Sequence, residues 1–278
     1  MPFLERPGQP RLHYVIDDFT NPWERKPWMV LQHGYSRSGV FFKQWVPYLA
    51  RHYRIIRPDI RGLGQSPLDF DPHTALSVET LLGDLTAIFD MIGEPVHYVG
   101  ESLGGILGVV LAATVPEKMR SLTMLASPLT IPPATREAFA CGYESWQVAL
   151  QTLGSRAWAE RINSATRFPP DADAELVRWY AEECGKSNVE TLIALSRVAC
   201  GVDVEPWLAK VAVPTLGLYP TAGTITRFEE QKIRAGIKGI RVVNLPTPAH
   251  AIQVLMPAEC ATTTLHFCGL VDGVANHD

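Results

Sequence analysis

Gly100-Glu101-Ser102-Leu103-Gly104 forms a G-x-S-x-G run, and a serine flanked in this way can be made into a nucleophile. A serine hydroxyl attacks a carbonyl only when a base takes its proton and its oxygen stands clear of the chain. The neighbouring residues supply the second condition. Val96-His97-Tyr98-Val99 reads as a strand, and Leu103-Gly104-Gly105-Ile106-Leu107-Gly108 opens a helix of small residues. A strand that turns straight into a helix leaves room only for glycine beside the serine and pushes Oγ out of the sheet. The helix N-terminus beneath it offers unbonded N–H groups and a positive dipole end to a developing oxyanion. The chemistry expected from these residues is acyl transfer at Ser102.

Other chemistries find less support. The five cysteines, 141, 184, 200, 260 and 268, are odd in number and show no C-x-x-C spacing, so they are expected as small core residues rather than a disulfide framework or nucleophiles. No metal-ligand spacing and no phosphate loop occurs, since Gly104-Gly105 belongs to the serine's own helix; neither metal nor cofactor is expected. The 25 basic and 29 acidic residues give a net charge of −4, which argues against a nucleic-acid groove or an anionic membrane surface. The longest uncharged apolar run, 103–115, is too short to span a bilayer. Residues 1–10 carry no basic segment followed by an apolar one, so no secretory leader and a cytoplasmic setting are expected. A small-molecule substrate is the expected partner, with a homodimer as an option.

The elements that must hold Ser102 follow from periodicity. Strand patterns appear at 11–17, 28–32, 54–57, 96–99 and 121–125, with helical spacing at 77–92 and 103–115 between them. Such alternation implies a parallel sheet with helices on both faces. From 129 to 206 only helical patterns occur, at 146–153, 156–162, 174–183 and 189–200, broken by Pro132-Pro133 and Pro169-Pro170. Strands resume at 213–219 and 240–245, with helices near 228–237 and 252–267. The division expected is an α/β core, 1–128 and 207–278, interrupted by a helical cap, 129–206.

With these residues in place the chain resembles the α/β-hydrolase superfamily over nearly its whole length. His33-Gly34 ends the strand WMVLQ where that family places its oxyanion turn. Asp59-Ile60-Arg61-Gly62-Leu63-Gly64-Gln65-Ser66 matches its D-x-R-G-x-G-x-S turn. Pro116-Glu117-Lys118-Met119 and Pro214-Thr215-Leu216 match two further family turns, and His250 follows the last strand in a Pro-Ala-His turn. The resemblance implies Ser102 as nucleophile, His250 as general base, and the backbone N–H groups of Tyr35 and Leu103 as the oxyanion hole. Asp59, Arg61 and Ser66 are expected as scaffold. Histidines 13, 33, 52, 73, 97, 266 and 277 are expected in structural or surface roles. Epoxide hydrolases and haloalkane dehalogenases are disfavoured because both need Asp at the place of Ser102.

One family feature is missing. The carboxylate that orients the histidine usually lies in the loop after the PTL strand, here 219–226, or at the end of the strand after the serine's helix, here 125–129. Neither segment has a carboxylate, and the usual acid position falls on Ala222. Asp203 or Glu229 could serve from elsewhere, a backbone carbonyl or threonine hydroxyl could orient His250, or acyl-enzyme chemistry could be lost. The leading expectation is a serine hydrolase of a small, largely apolar ester, lactone or C–C substrate. A cofactor-free lyase or dioxygenase with His250 as base, and a ligand-binding receptor on a decayed hydrolase, stand as alternatives. Phe41, Trp146 and Trp179 are candidate substrate contacts, with aromatic packing inside the cap as the plainer reading. The cap holds seven basic and eleven acidic residues, net −4, which weighs against strongly anionic substrates.

Overall fold

The computed structural model describes residues 2–221 and 225–274. Its strands are β1 (Phe3–Arg6), β2 (Gln9–Asp17), β3 (Trp28–Gln32), β4 (Arg54–Pro58), β5 (Val96–Glu101), β6 (Met119–Leu125), β7 (Thr215–Pro220) and β8 (Arg241–Leu245). They form one sheet in the order β1-β2-β4-β3-β5-β6-β7-β8. The first two pairings, β1 with β2 and β2 with β4, are antiparallel, and every later pairing is parallel. A parallel sheet covered on both faces buries its central strands, and β5 has all six residues buried, His97 and Glu101 among them. β1 escapes the sequence pattern because it is four residues long. It pairs with β2 through a turn in which Gly8 takes φ 69°.

Helix Val78–Ile92 begins with a reciprocal cap: Ser77 Oγ accepts from Thr80 N at 3.2 Å, and Thr80 Oγ1 accepts from Ser77 N at 2.9 Å. It ends at Gly93 with φ 74°. Helix Leu103–Thr114 packs on β5 and β6 and is buried on nearly every face, so its sequence shows no polar stripe. The last helical stretch divides at Pro257 into Ile252–Leu255 and Pro257–Asp272, because proline can open a helix but not continue one.

Four helices lie between β6 and β7: Pro133–Ala140, Trp146–Ile162, Ala174–Gly185 and Val189–Gly201. The first is absent from the sequence reading, which takes the proline pair as a break; Pro133 instead sits at the first helical turn. The second runs through both expected segments, and Gly154, at φ 76° and ψ 167°, marks the break between them. Trp146 and Trp158 stack with centroids 5.9 Å apart, and Phe139 packs 4.7 Å from Trp146. These rings pack the first two of these helices on one another and, through Tyr35, join the core shared with the sheet.

Candidate active site

Non-glycine residues with positive φ are rare, and of the four among the described residues three lie beyond the ends of three adjacent strands, the fourth being Cys141 at the end of helix Pro133–Ala140. Ser36 (φ 60°) follows β3, Ser102 (φ 52°) follows β5, and Ala126 (φ 45°) follows β6. Such backbone strain persists only where the surroundings fix it, and it concentrates at working sites. Ser102, with ψ −114°, stands at the corner between β5 and helix Leu103–Thr114. Its N–H donates to Leu125 O at 2.9 Å, and Ser127 Oγ donates to Ser102 O at 3.2 Å, so β6 grips the corner on both sides.

The glycines of this corner are required by contact. A Cβ on Gly100 would overlap the Gly104 carbonyl, and one on Gly104 would lie 2.6 Å from Gln32 O. Gly83, inside helix Val78–Ile92, would meet nothing within 4 Å. Gly100→Ala is therefore expected to cost about 3 kcal/mol by overpacking against backbone. Gly83→Ala is expected to stabilise by about 1 kcal/mol through helix propensity. Thermal melts of the two variants should move in opposite directions; a neutral Gly100→Ala would contradict the tight corner.

The β3 turn is held by His33. Its Nδ1 donates to Gly34 O at 2.8 Å, which leaves Nε2 to accept from Ile60 N at 3.0 Å. Tyr35 then reaches upward, its hydroxyl donating to Leu192 O at 2.6 Å and its ring 4.7 Å from Trp146. Among the described residues, the backbone N–H groups of Tyr35 and Leu103 make no hydrogen bond. Asp59 knits the neighbouring turn, accepting from His13 Nδ1 at 2.8 Å, Gly39 N at 2.7 Å and Gln65 N at 2.9 Å. Arg61 pairs with Asp84, and His97 bonds Ser121 Oγ at 2.7 Å and Asp272 at 3.0 Å. These residues are scaffold by their contacts.

His250 enters from the loop after β8 and is buried. Its N–H donates to Thr166 O at 3.3 Å, and Ala251 N donates to Arg167 O at 3.1 Å, so the inserted helices hold the histidine loop by its backbone. Its Nε2 lies 3.6 Å from Glu101 Oε1. Glu101 is the first of the two variable residues of G-x-S-x-G, and it is fully buried. Its Oε2 accepts from Arg37 Nη1 at 2.9 Å and Gly34 N at 3.0 Å, while Oε1 accepts no hydrogen bond among the described residues. Burial pushes the Glu101 carboxyl above the ordinary glutamate range; the Arg37 charge and the Gly34 N–H oppose that shift. Arg37 Nε also donates to Tyr180 OH at 2.5 Å.

Tyr35, Ser102, Leu103, Trp146, Arg167 and His250 line one cavity of about 30 Å³, with Ile131, Phe139 and Ala199 among its apolar walls. A cavity of about 540 Å³ lies elsewhere, lined by Lys43, Asp59 and Lys186 among others, and touches neither Ser102 nor His250. Phe41 and Trp179 are not on the smaller cavity's wall. They pack on each other at 5.1 Å, and Phe41 also packs on Tyr180 at 4.9 Å, because rings on facing elements bury one another first. Of the two carboxylates considered as distant orienters, Asp203 caps Glu205 N, and Glu229 accepts from Leu129 N at 2.6 Å. Ala222 lies outside the described residues. Glu101, Arg37 and Arg167 carry no motif of their own; only the adjacency of Glu101 to Ser102 could have drawn notice.

Residues 27–147 match the model of the alpha/beta hydrolase fold family. A pimeloyl-[acyl-carrier protein] methyl ester esterase of Aeromonas hydrophila is 37% identical over 260 residues, spanning 87% of this chain and 96% of the relative. RutD of Azorhizobium caulinodans, provisionally named a carbamate hydrolase, is 25% identical over 95% of this chain and 97% of its own length. Among solved structures, the enol-lactonase of Burkholderia xenovorans superposes with a TM-score of 0.84 at 22% identity, over 96% of this chain and 99% of the other.

Proposed function

The chain belongs to the α/β hydrolase fold family, and from that premise we propose that it is a serine hydrolase cleaving a carboxylic ester or lactone through an acyl-enzyme on Ser102. The observation that carries this reading is one cavity lined by a strained Ser102, a buried His250, and Tyr35 and Leu103, whose backbone N–H groups make no hydrogen bond among the described residues. The esterase name of the 37% identical relative supports the substrate class.

His250 takes the Ser102 proton as Oγ attacks the carbonyl, and the Tyr35 and Leu103 N–H groups receive the oxyanion. Each such donor is worth about 3 kcal/mol of transition-state stabilisation. Collapse of the tetrahedral intermediate expels the alcohol, which takes the proton from His250. Water then repeats the sequence on the acyl-enzyme. The imidazolium formed in each half stands 3.6 Å from Glu101 Oε1, an oxygen that accepts no hydrogen bond among the described residues. That placement favours the proton-bearing histidine and takes over part of the work of an orienting acid.

The resting histidine is neutral. Burial, joined by the Arg37 charge, pushes its pKa down to about 3. A neutral imidazole is the form that accepts a proton, so activity is retained below the ordinary histidine range rather than lost there. The acid limb of kcat/KM on a p-nitrophenyl ester is expected well below pH 6; a limb near pH 6.5 would show that His250 is solvated in the working enzyme. The reading as a whole is tested by a fluorophosphonate probe, which should label wild-type protein and fail on Ser102→Ala.

A further inference from the structure

Arg167 ends the five-residue wide turn Asn163–Arg167 and lies on the wall of the cavity shared by Ser102 and His250. It is only 3% exposed. Among the described residues its side chain's one hydrogen bond runs from Nη1 to Tyr180 OH, at 3.3 Å, and its Nε–H is buried without an acceptor. No carboxylate of the described residues pairs with it. Arg37 offers the contrast within the same cluster: it too donates to Tyr180 OH, and Glu101 neutralises it at 2.9 Å. Two guanidinium groups therefore share one tyrosine, with a carboxylate for only one of them. The Phe139 and Tyr180 rings, 5.7 and 5.8 Å from the Arg167 guanidinium, stabilise a cation in part but do not replace an anion.

A buried charge without a counterion is costly, and its persistence on a reactive cavity wall implies that a ligand brings the missing charge. A guanidinium presents a planar fork that matches a carboxylate in both geometry and charge. Its backbone is also fixed relative to the base, because Arg167 O accepts from Ala251 N at 3.1 Å, one residue after His250. Resting on the acyl-enzyme reading, we infer that Arg167 binds a carboxylate carried on the acyl group of the substrate, so that the enzyme cleaves half-esters or lactones of dicarboxylic acids.

The test compares p-nitrophenyl hemiglutarate with p-nitrophenyl pentanoate, two acyl chains of equal carbon number that differ in the terminal carboxylate. Wild-type kcat/KM is expected at least about tenfold higher for the hemiglutarate, most of it in KM. Arg167→Met is expected to lose about 100-fold on the hemiglutarate and under threefold on the pentanoate. Its melting temperature should hold or rise, since an unpaired buried cation has been replaced by an apolar chain of similar length. A wild type with no preference, or a variant that loses both esters equally and melts lower, overturns the inference and leaves Arg167 a structural residue. If wild type cleaves neither ester, the acyl-enzyme reading fails separately. Calorimetry with glutarate then decides the carboxylate site: binding to wild type that Arg167→Met abolishes upholds it, and no binding overturns it.

Discussion

Ser102→Ala should lower kcat/KM for a p-nitrophenyl ester by about 10⁵–10⁶-fold, with no change in the circular-dichroism spectrum or melting temperature. The substitution removes one oxygen at a position whose backbone strain, φ 52°, alanine inherits unchanged. His250→Ala should lose a comparable factor, because a serine without its base is as inert as no serine. The double variant should be no worse than either single one, since the two residues act as a unit. A different pattern would identify a different reaction. If His250→Ala is fatal while Ser102→Ala keeps most of its turnover, the histidine is the working base and Ser102 a bystander. That outcome excludes the acyl-enzyme.

Arg37→Met should be among the most destabilising single substitutions outside the sheet. Arg37 and Glu101 are both about 1% exposed in their side chains, and they meet at 2.9 Å. Removing the cation strands a buried carboxylate beside Ser102 with one hydrogen bond left to it among the described residues, from the Gly34 N–H. Breaking a buried pair in this way costs about 3–5 kcal/mol, and in a chain of this size the melting temperature should fall on the order of 10 °C. Adding Glu101→Gln to Arg37→Met should recover at least half of the loss, because no charge is then left alone. The measurement is a thermal melt of the two variants against wild type. A fall of under about 1 kcal/mol in the single variant would show that the pair is solvated or its carboxyl already neutral.

The parts of this molecule that were legible in its sequence are those set by local sterics. The corner at Ser102 announces itself because Gly100 and Gly104 have no space for a side chain, and the break at Gly154 because two helical patterns stop on either side of it. Strand alternation likewise places seven of the sheet's strands. What the sequence hides is contact at a distance. Glu101 meets Arg37 across 64 residues and His250 across a longer span, and neither pairing leaves a periodic trace. Phe41, Trp146 and Trp179 look alike as apolar rings, yet only Trp146 reaches the Ser102 cavity, and it does so while also packing on Trp158. The inserted segment's net charge of −4 is a poor guide to the cavity for a related reason. Glu137, Glu144, Glu160 and Glu175 are exposed, whereas Arg167, on the cavity wall, is buried. Composition averages over the two environments, and the chemistry depends on one of them.

Trapping the covalent intermediate tests the central claim most directly. Wild-type protein mixed with excess p-nitrophenyl ester and quenched in acid within the first turnovers should show, by intact mass spectrometry, one added acyl group. Digestion should place it on the peptide containing Ser102, and a burst of p-nitrophenol equal to the enzyme concentration should accompany it. Turnover with no adduct, or with the acyl group on any residue other than Ser102, would contradict the mechanism outright.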